Sequence, residues 1–452
     1  MKQADPQAVV TPEMLDRFRM SFDGDPVNKL AQDAVTRAPL RTVALNHEAA
    51  VSADHTFSVV LPSNEATDQQ KSGRCWLYSG LNTFRTEAMK RLDVEKFELS
   101  QSYLMFWDKL EKANYFLENI LATLAEPTDG RLLMHLLQSP IQDGGQWDMF
   151  CALVTKYGVV PKTVMPETDS SSNSGVMNAM ITAKLREYAA ELRRMAQGGD
   201  GEEVLRSRKE MMMGIIFRML AIHLGTPPEE FLWQWRDRGD LFHRDGVVTP
   251  QEFFSRYVGV DLERTVCLIN CPTPDKPMKH MYTIGYLGNV VEARGIRYLN
   301  TPLDMFKQAA VDMLVAGEPV WFGCDVGKFE ERDLGILDPG IYDYDLVYGE
   351  GFASDKAERI LYGQSAMTHA MVLTGVDLDG DGRPRRWRVE NSWGDKLGDK
   401  GFMVMTDAWF DEYVYEIAAN RDVLPTELTP VLAEEPVVLP PWDPMGALAA
   451  AD

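Results

Sequence analysis

The feature that most constrains this chain is a cysteine, Cys75, between a glycine-containing turn and an apolar, periodic stretch. Residues 77–90 repeat apolar side chains at the spacing of a helix. Cys75 is therefore expected near a helix N-terminus, where unpaired N–H groups and the helix dipole favour a thiolate. Such a thiolate is a potential nucleophile if the chain also supplies a base, a group that orients the base, and an oxyanion hole.

Three further residues supply these parts. His369 opens an apolar strand-like segment, and Asn391 follows a tight turn at residues 379–382. Two strands joined by this turn would place the Asn391 amide beside His369, where its oxygen would hold one imidazole tautomer and leave the other ring nitrogen for sulfur. Gln69 supplies a side-chain amide for the oxyanion, together with the backbone N–H of Cys75. Each of these residues alone would more often have a structural role. Their combination predicts a catalytic cysteine with its base, its orienting group and its oxyanion hole.

Composition disfavours several functions. The chain of 452 residues has a net charge of −22, whereas binding of nucleic acid needs basic surface. Its first residues lack the apolar core of a signal peptide, and no segment approaches the roughly 20 apolar residues of a transmembrane helix. The five scattered cysteines indicate a reducing compartment rather than a disulfide framework. We therefore expect a cytoplasmic protein with no nucleic acid or membrane partner.

Helical patterns precede strand patterns along the chain, which predicts an α+β fold rather than alternating βαβ units. The predicted helices cover residues 97–124, 149–157, 176–195, 203–224 and 303–316. The predicted strands cover residues 56–61, 266–270, 290–293, 320–325, 369–376, 386–391 and 401–405.

Residues 166–250 differ in character from their surroundings, because a polar loop leads into two long helical stretches. The second stretch contains the run 211–217, which is apolar on nearly all sides. One interpretation is a buried helix. The other is a contact between subunits, because methionine-rich surfaces adapt well to partners.

Two motifs indicate metal sites only weakly. Residues 377–382 match the start of a calcium-binding loop, but Arg388 stands where that loop requires Glu, so a hairpin turn is expected. Cys267 and Cys271, with His280 nearby, lack the second pair of ligands that a zinc site needs. No metal or other cofactor is expected.

The segment Gly73-Arg74-Cys75-Trp76 resembles the motif of papain-type cysteine peptidases, with Arg74 where a small residue is usual. The separation of Cys75 and His369 exceeds the roughly 130–150 residues of those enzymes by about 150. This excess resembles the bleomycin hydrolase and aminopeptidase C branch, which carries large helical insertions. Further matching segments are residues 70–76, 99–104, 143–149, 390–394 and 441–448.

The resemblance implies a papain-like two-lobed fold, with Cys75, His369, Asn391 and Gln69 as catalytic residues. The implied division has four parts. Residues 1–165 form an N-terminal segment and a helical lobe that carries the cysteine, and residues 166–250 form a helical insertion that contributes to oligomerisation. Residues 251–425 form a β-rich lobe that carries the histidine and the asparagine, and residues 426–452 form a C-terminal arm. It also implies a ring-like homohexamer, and an arm in the substrate cleft whose terminal carboxylate pairs with a substrate ammonium.

The expected activity is that of a cysteine aminopeptidase acting through a thioester on peptides with a free N-terminus. Residues 450–452 run slightly past the usual end of relatives, so they crowd the cleft, are trimmed, or fold aside. An endopeptidase and an acyl-transferring thiol enzyme are alternatives on the same residues. From a different class, an inactive binding scaffold is the third alternative.

Overall fold

The computed structural model describes residues 8–62 and 65–449. Helices dominate the first half of the chain and strands the second, which confirms the α+β prediction. The helices before residue 230 are α1 (Pro12–Gly24), α2 (Pro26–Val35), α3 (Leu40–Ala44), α4 (His47–Ser52), α5 (Cys75–Leu92), α6 (Gln101–Ala122), α7 (Arg131–Gln138), α8 (Trp147–Tyr157), α9 (Asp169–Ser172), α10 (Gly175–Gln197) and α11 (Glu202–Leu224). The later helices are α12 (Pro250–Phe253), α13 (Leu303–Val315), α14 (Tyr344–Tyr348), α15 (Lys356–Leu361) and α16 (Asp407–Tyr413).

The strands are β1 (Val59–Val60), β2 (Phe231–Arg236), β3 (Phe242–Val248), β4 (Thr265–Ile269), β5 (His280–Ile284), β6 (Tyr298–Asn300), β7 (Val320–Cys324), β8 (Glu330–Glu331), β9 (Ile336–Leu337), β10 (His369–Leu378), β11 (Pro384–Glu390), β12 (Phe402–Thr406), β13 (Val414–Asn420) and β14 (Val437–Leu439). Within the described residues, all except β2 and β3 form a 12-stranded sheet in the order β14-β5-β6-β4-β13-β7-β10-β11-β12-β9-β8, with β1 beside β10. β10 and β11 are antiparallel, so the first residue of β10 and the last residue of β11 lie at the same end of the sheet.

Helix α5 lies at the centre of the molecule. Every residue of its first two turns, 75–82, is buried. A helix that is buried on all sides must pack against neighbours on all sides. On one side a Cβ on Gly80 would meet the ring of Phe150, on α8, at 2.8 Å, so the two helices touch there because Gly80 has no side chain. On another side the Ser79 hydroxyl donates to the carbonyl of Ala370, on β10, at 2.9 Å. The buried start of α5 is thus held between helices and sheet.

Among the segments that differ from the sequence predictions, two are explained by local contacts. Residues 290–293 form a turn closed by the Ala293 N–H and the Val290 carbonyl, not a strand. The Asn289 side chain accepts from the Val290 N–H, and such local bonds compete with strand pairing. Residues 231–248, for which no strand was predicted, form the β2–β3 hairpin. Alternating aromatic residues, including the stacked Trp233 and Trp235, give this hairpin its buried face.

The methionine-rich run on α11 has two different sides. Met212 and Ile216 are fully buried, whereas Met211 is 55% and Phe217 is 37% exposed. The interpretation of a buried helix therefore holds for one side of this run and not for the other in the single chain. The interpretation of a subunit contact stays a prediction.

The two weak metal motifs have structural explanations. The Asp379 carboxylate accepts from the N–H groups of Asp381 and Arg383, which makes residues 379–383 a hairpin turn as expected. Cys267 and Cys271 are buried, whereas His280 is exposed. No group of three or more His, Cys, Asp or Glu in the described ranges is arranged to hold a metal ion. No helix in these ranges is long and apolar enough to cross a membrane.

Candidate active site

Cys75 is the first residue of α5, and its side chain is completely buried. The preceding residue, Arg74, makes no side-chain capping bond, so the first N–H groups of the helix are not covered by its cap residue. Ser79 is one helical turn further and bonds to Ala370, the neighbour of His369. Because residues four apart share one side of a helix, Cys75 lies on the side of α5 that faces the start of β10.

His369 and Asn391 are joined directly. The imidazole Nε2 lies 2.8 Å from the Oδ1 atom of Asn391, and this oxygen also accepts from the N–H of Ser392 at 2.7 Å. Because an amide oxygen only accepts, Nε2 carries a proton and donates. The ring of Trp393 packs on the imidazole with centroids 4.8 Å apart, and the Arg332 guanidinium lies over Trp393 at 4.1 Å. The hydrogen bond is thereby shielded from water.

The other imidazole nitrogen of His369, Nδ1, is buried and has no hydrogen-bond partner among the described residues. Burial lowers the pKa of His369 to about 4, the bond to Asn391 opposes this shift, and Arg332 adds to it. Without an adjacent anion the ring is therefore neutral at neutral pH. Its Nδ1 lone pair can take a proton, and an anion beside it would stabilise the resulting cation.

Gln69 is brought to the same end of the sheet by a short strand-like pairing. The N–H of Gln69 donates to the carbonyl of Ser392, and the N–H of Gly394 donates to the carbonyl of Thr67, both at 2.9 Å. The Ser392 hydroxyl donates to the Gln69 Oε1 atom at 2.7 Å, which identifies Nε2 as the donor end of the amide. Gln69 itself is 1% exposed. Backbone and side-chain hydrogen bonds thus join the loop before Cys75 to the loop after β11.

Sequence reasoning missed the contribution of Asp143 to this site. Its carboxylate accepts from the Gly73 N–H at 3.0 Å, and its carbonyl accepts from the Trp76 indole N–H at 2.6 Å. These two bonds hold the residues on both sides of Cys75. Burial opposes ionisation of Asp143, but the Lys109 ammonium, together with hydrogen bonds from Ser174 and Asn178, outweighs burial and holds the pKa of that carboxyl well below its usual range. The available signal was the segment 143–149, which entered the sequence predictions only through its resemblance to the family.

The end of the described chain lies close to Cys75. The Gln146 side chain donates to the carbonyl of Ala447 at 2.6 Å, and Ala449 pairs with Gly145 in an antiparallel bridge. Gly145 in turn lies against Trp76, since a Cβ at this glycine would meet the indole ring at 2.5 Å. The arm therefore runs beside the residue that follows Cys75. Residues 450–452, whose position relative to the cleft was the open question, lie outside the described residues.

Fold and site together place this protein in the class of papain-like cysteine peptidases. The family model described as the Peptidase C1-like family matches residues 9–446, and the chain belongs to this family.

Similar proteins match over nearly the whole chain. Aminopeptidase C of Streptococcus thermophilus is 46% identical over 419 residues, which are 93% of this chain and 94% of that protein. Bleomycin hydrolase of Rattus norvegicus is 43% identical over 451 residues, which are 98% of this chain and 99% of that protein. The crystal structure of PepW from Lactobacillus rhamnosis HN001 has a TM-score of 0.96 at 47% identity and covers 98% of this chain and 100% of that chain.

Proposed function

We propose that this protein is a cysteine aminopeptidase that removes N-terminal residues from peptides, with Cys75 as nucleophile, His369 as base, Asn391 as the residue that orients the base, and Gln69 in the oxyanion hole. The observation that carries the proposal is the bond between His369 Nε2 and Asn391 Oδ1. It leaves Nδ1 without a hydrogen-bond partner among the described residues, on the strand beside the helix of Cys75. The names of the relatives, aminopeptidase C and bleomycin hydrolase, support it.

The first half of the reaction forms a thioester. The Cys75 thiol gives its proton to Nδ1 of His369, and the thiolate attacks the carbonyl carbon of the first peptide bond. The oxyanion accepts hydrogen bonds from the Gln69 amide and from the Cys75 N–H. Such a donor contributes roughly 2.7–4 kcal/mol to transition-state stabilisation. The C–N bond then breaks, and His369 returns its proton to the leaving amine.

The second half releases the amino acid. Water gives a proton to His369 and adds to the thioester carbonyl, and the C–S bond breaks to restore Cys75. The lowered pKa of His369 suits this cycle, because the imidazolium is stable only while an anion lies beside it. Thiolate and imidazolium are therefore expected to form and disappear together.

The position of the C-terminal arm supports cleavage at the first peptide bond of a substrate, which is the action of an exopeptidase. The last described residues of the arm pair with Gly145 beside Trp76, which supports an arm that occupies one side of the cleft next to Cys75. A substrate that extends in that direction would meet the arm, whereas a free amino terminus would fit. The net charge of −22 favours the approach of a cationic amino terminus.

The chain is further proposed to work as a cytoplasmic homohexamer in which the insertion at 166–250 contributes to subunit contacts. Several apolar side chains on α10 and α11 are exposed in the single chain, which is typical of surfaces that bind a partner: Val176, Met180, Met211 and Ile222. None of the five cysteines, all of which lie in the described ranges, forms a disulfide, as suits a reducing compartment. Light scattering on the purified chain tests the assembly, with a mass of six chains expected and a monomer contradicting it.

A pair of substrates tests the activity. We expect rapid hydrolysis of a peptide with a free N-terminus and at least about a hundredfold lower kcat/KM for its N-acetylated twin, because the acetyl group meets the arm and removes the ammonium. A preference for the acetylated peptide would show an endopeptidase instead. Absence of hydrolysis for both, together with no labelling of Cys75 by a thiol-directed epoxide, would show a binding scaffold.

A further inference from the structure

A partly buried ion pair joins the cysteine loop to the start of the insertion. The Arg74 side chain is 1% exposed, and its two terminal nitrogens donate to the two carboxylate oxygens of Glu167 at 3.1 and 2.8 Å. Burial opposes ionisation of Glu167, but Arg74, together with Ser171 and Lys162, outweighs burial and holds the pKa of that carboxyl below its usual value. Tyr78 and Ser171 also donate to this carboxylate. Arg74 is thus fixed in position by the insertion.

The remaining part of the guanidinium reaches toward Gln69. Its Nε donates to the Ser72 hydroxyl at 2.8 Å, and this hydroxyl donates to the Gln69 carbonyl at 2.7 Å. The Ser72 carbonyl accepts from the Gln69 side-chain Nε2 at 2.8 Å. Ser72 therefore contacts both the backbone and the amide of the oxyanion donor. Lysine lacks the planar fork that lets Arg74 bind Glu167 and Ser72 at once.

This loop needs such support because its backbone is strained. Gln70 has a φ of 54°, in the left-handed region that non-glycine residues adopt only at a cost. The neighbouring Lys71 N–H donates to the carbonyl of Ser172 at 2.9 Å, which is a second bond from the insertion to the same loop. Without these bonds the loop would relax, and the Gln69 amide would move with it.

We propose that Arg74, Ser72 and Glu167 are positioning residues for Gln69, so that the first turn of the insertion sets the geometry of the oxyanion hole. This inference rests on the proposed function, in which Gln69 binds the oxyanion. It also gives a reason for the arginine that precedes Cys75 where papain-type enzymes usually have a small residue.

The variants Ser72→Ala and Glu167→Gln test the inference, with Glu191→Gln as control. Glu191 also forms an ion pair within the insertion, with Arg208 at 2.6 Å. We expect Ser72→Ala and Glu167→Gln each to lower kcat about tenfold with little change in KM, and Glu191→Gln to change neither. Ser72→Ala keeps the ion pair intact, and therefore tests the inference even if Glu167→Gln fails to fold.

Two thiol reagents distinguish a change in the oxyanion donor Gln69 from a change in the reactivity of the Cys75 thiol. An α-amino aldehyde adds to the thiol and places its oxygen in the oxyanion hole, whereas alkylation by iodoacetamide forms no oxyanion. We expect aldehyde inhibition to weaken by the same factor as kcat, and alkylation to stay within about twofold of the parent chain. Unchanged aldehyde inhibition in both variants would overturn the inference, as would alkylation that slows in parallel with kcat.

A double variant completes the test. If Ser72 acts through Gln69, Ser72→Ala should have no further effect on kcat in a Gln69→Ala background. Additive losses would overturn the inference while leaving the proposed function intact. If Gln69→Ala alone changed neither kcat nor aldehyde inhibition, the proposed role of Gln69 would fail and the inference with it.

Discussion

The Nε2 atom of His369 donates to the Oδ1 atom of Asn391 over 2.8 Å, although 22 positions separate the two residues. Antiparallel pairing of β10 and β11 brings them to one end of the sheet. The bond holds the imidazole in one tautomer and directs Nδ1 away from Asn391. The orientation of the proposed base is therefore set by strand register and by one amide.

Replacing Asn391 with Ala should lower kcat about 10- to 100-fold with little change in KM, because the ring loses its orientation but the peptide still binds. Steady-state kinetics with an amino-acid arylamide measures both constants. Asn46→Ala is the matched control, since Asn46 bonds to Asp343 away from this site. Equal kinetics in the two variants would contradict the proposed role of Asn391.

In a Cys75→Ala variant, His369 should titrate well below an ordinary histidine. Burial disfavours the charged ring, the charged ring is the protonated one, and the pKa therefore falls, to about 4. NMR of the imidazole carbons in the variant should show a neutral ring down to about pH 5. The parent chain should protonate His369 at higher pH, because a thiolate stabilises the cation. A normal pKa in the variant would contradict this explanation.

A chain that ends at Asp443 tests the proposed role of the arm. Asp443 keeps its ion pair with the buried Lys276 at 2.9 Å, so the preceding part of the arm stays attached. Removal of residues 444–452 should raise kcat/KM for N-acetylated peptides at least about tenfold and lower it for free peptides. An unchanged ratio of the two would show that the arm does not limit the cleft.

Glu416 should make stability depend on pH. It is 1% exposed, and burial raises its pKa to about 8, against the opposing effect of the Cys267 thiol. The folded chain thus retains a proton that the unfolded chain loses above its ordinary value of 4.5. The stabilisation is complete below that value and is lost as the pH rises toward 8.

Replacement of Glu416 by Gln removes this dependence, because the amide stays neutral. The Tm of the variant should fall less than that of the parent between pH 5 and 8, and should be a few degrees higher at pH 8. Glu229→Gln, at an exposed position, is the control. Parallel Tm curves for the parent chain and Glu416→Gln would contradict the raised pKa.

The sequence predicted those features that have a local signal. The helix after Cys75 and the strand from His369 follow from apolar periodicity, and the turn at residues 379–383 follows from its Asp and Gly residues. The partners of single polar residues have no such signal. Neither the pairing of Arg74 with Glu167 nor the two bonds from Asp143 to the residues flanking Cys75 is visible before the chain folds. At residues 290–293 a local signal was present but misleading. Two valines favour a strand there, but the hydrogen bond from the Val290 N–H to the Asn289 side chain favours a turn.

The assignment of Cys75 as nucleophile is tested most directly by Cys75→Ala, with hydrolysis of an amino-acid arylamide as the measurement. Cys151→Ala is the matched control, since Cys151 is a second cysteine of the chain that forms no disulfide. We expect Cys75→Ala to fold and to lose at least about a thousandfold in kcat, and Cys151→Ala to retain its turnover. Full turnover by folded Cys75→Ala would contradict the assignment.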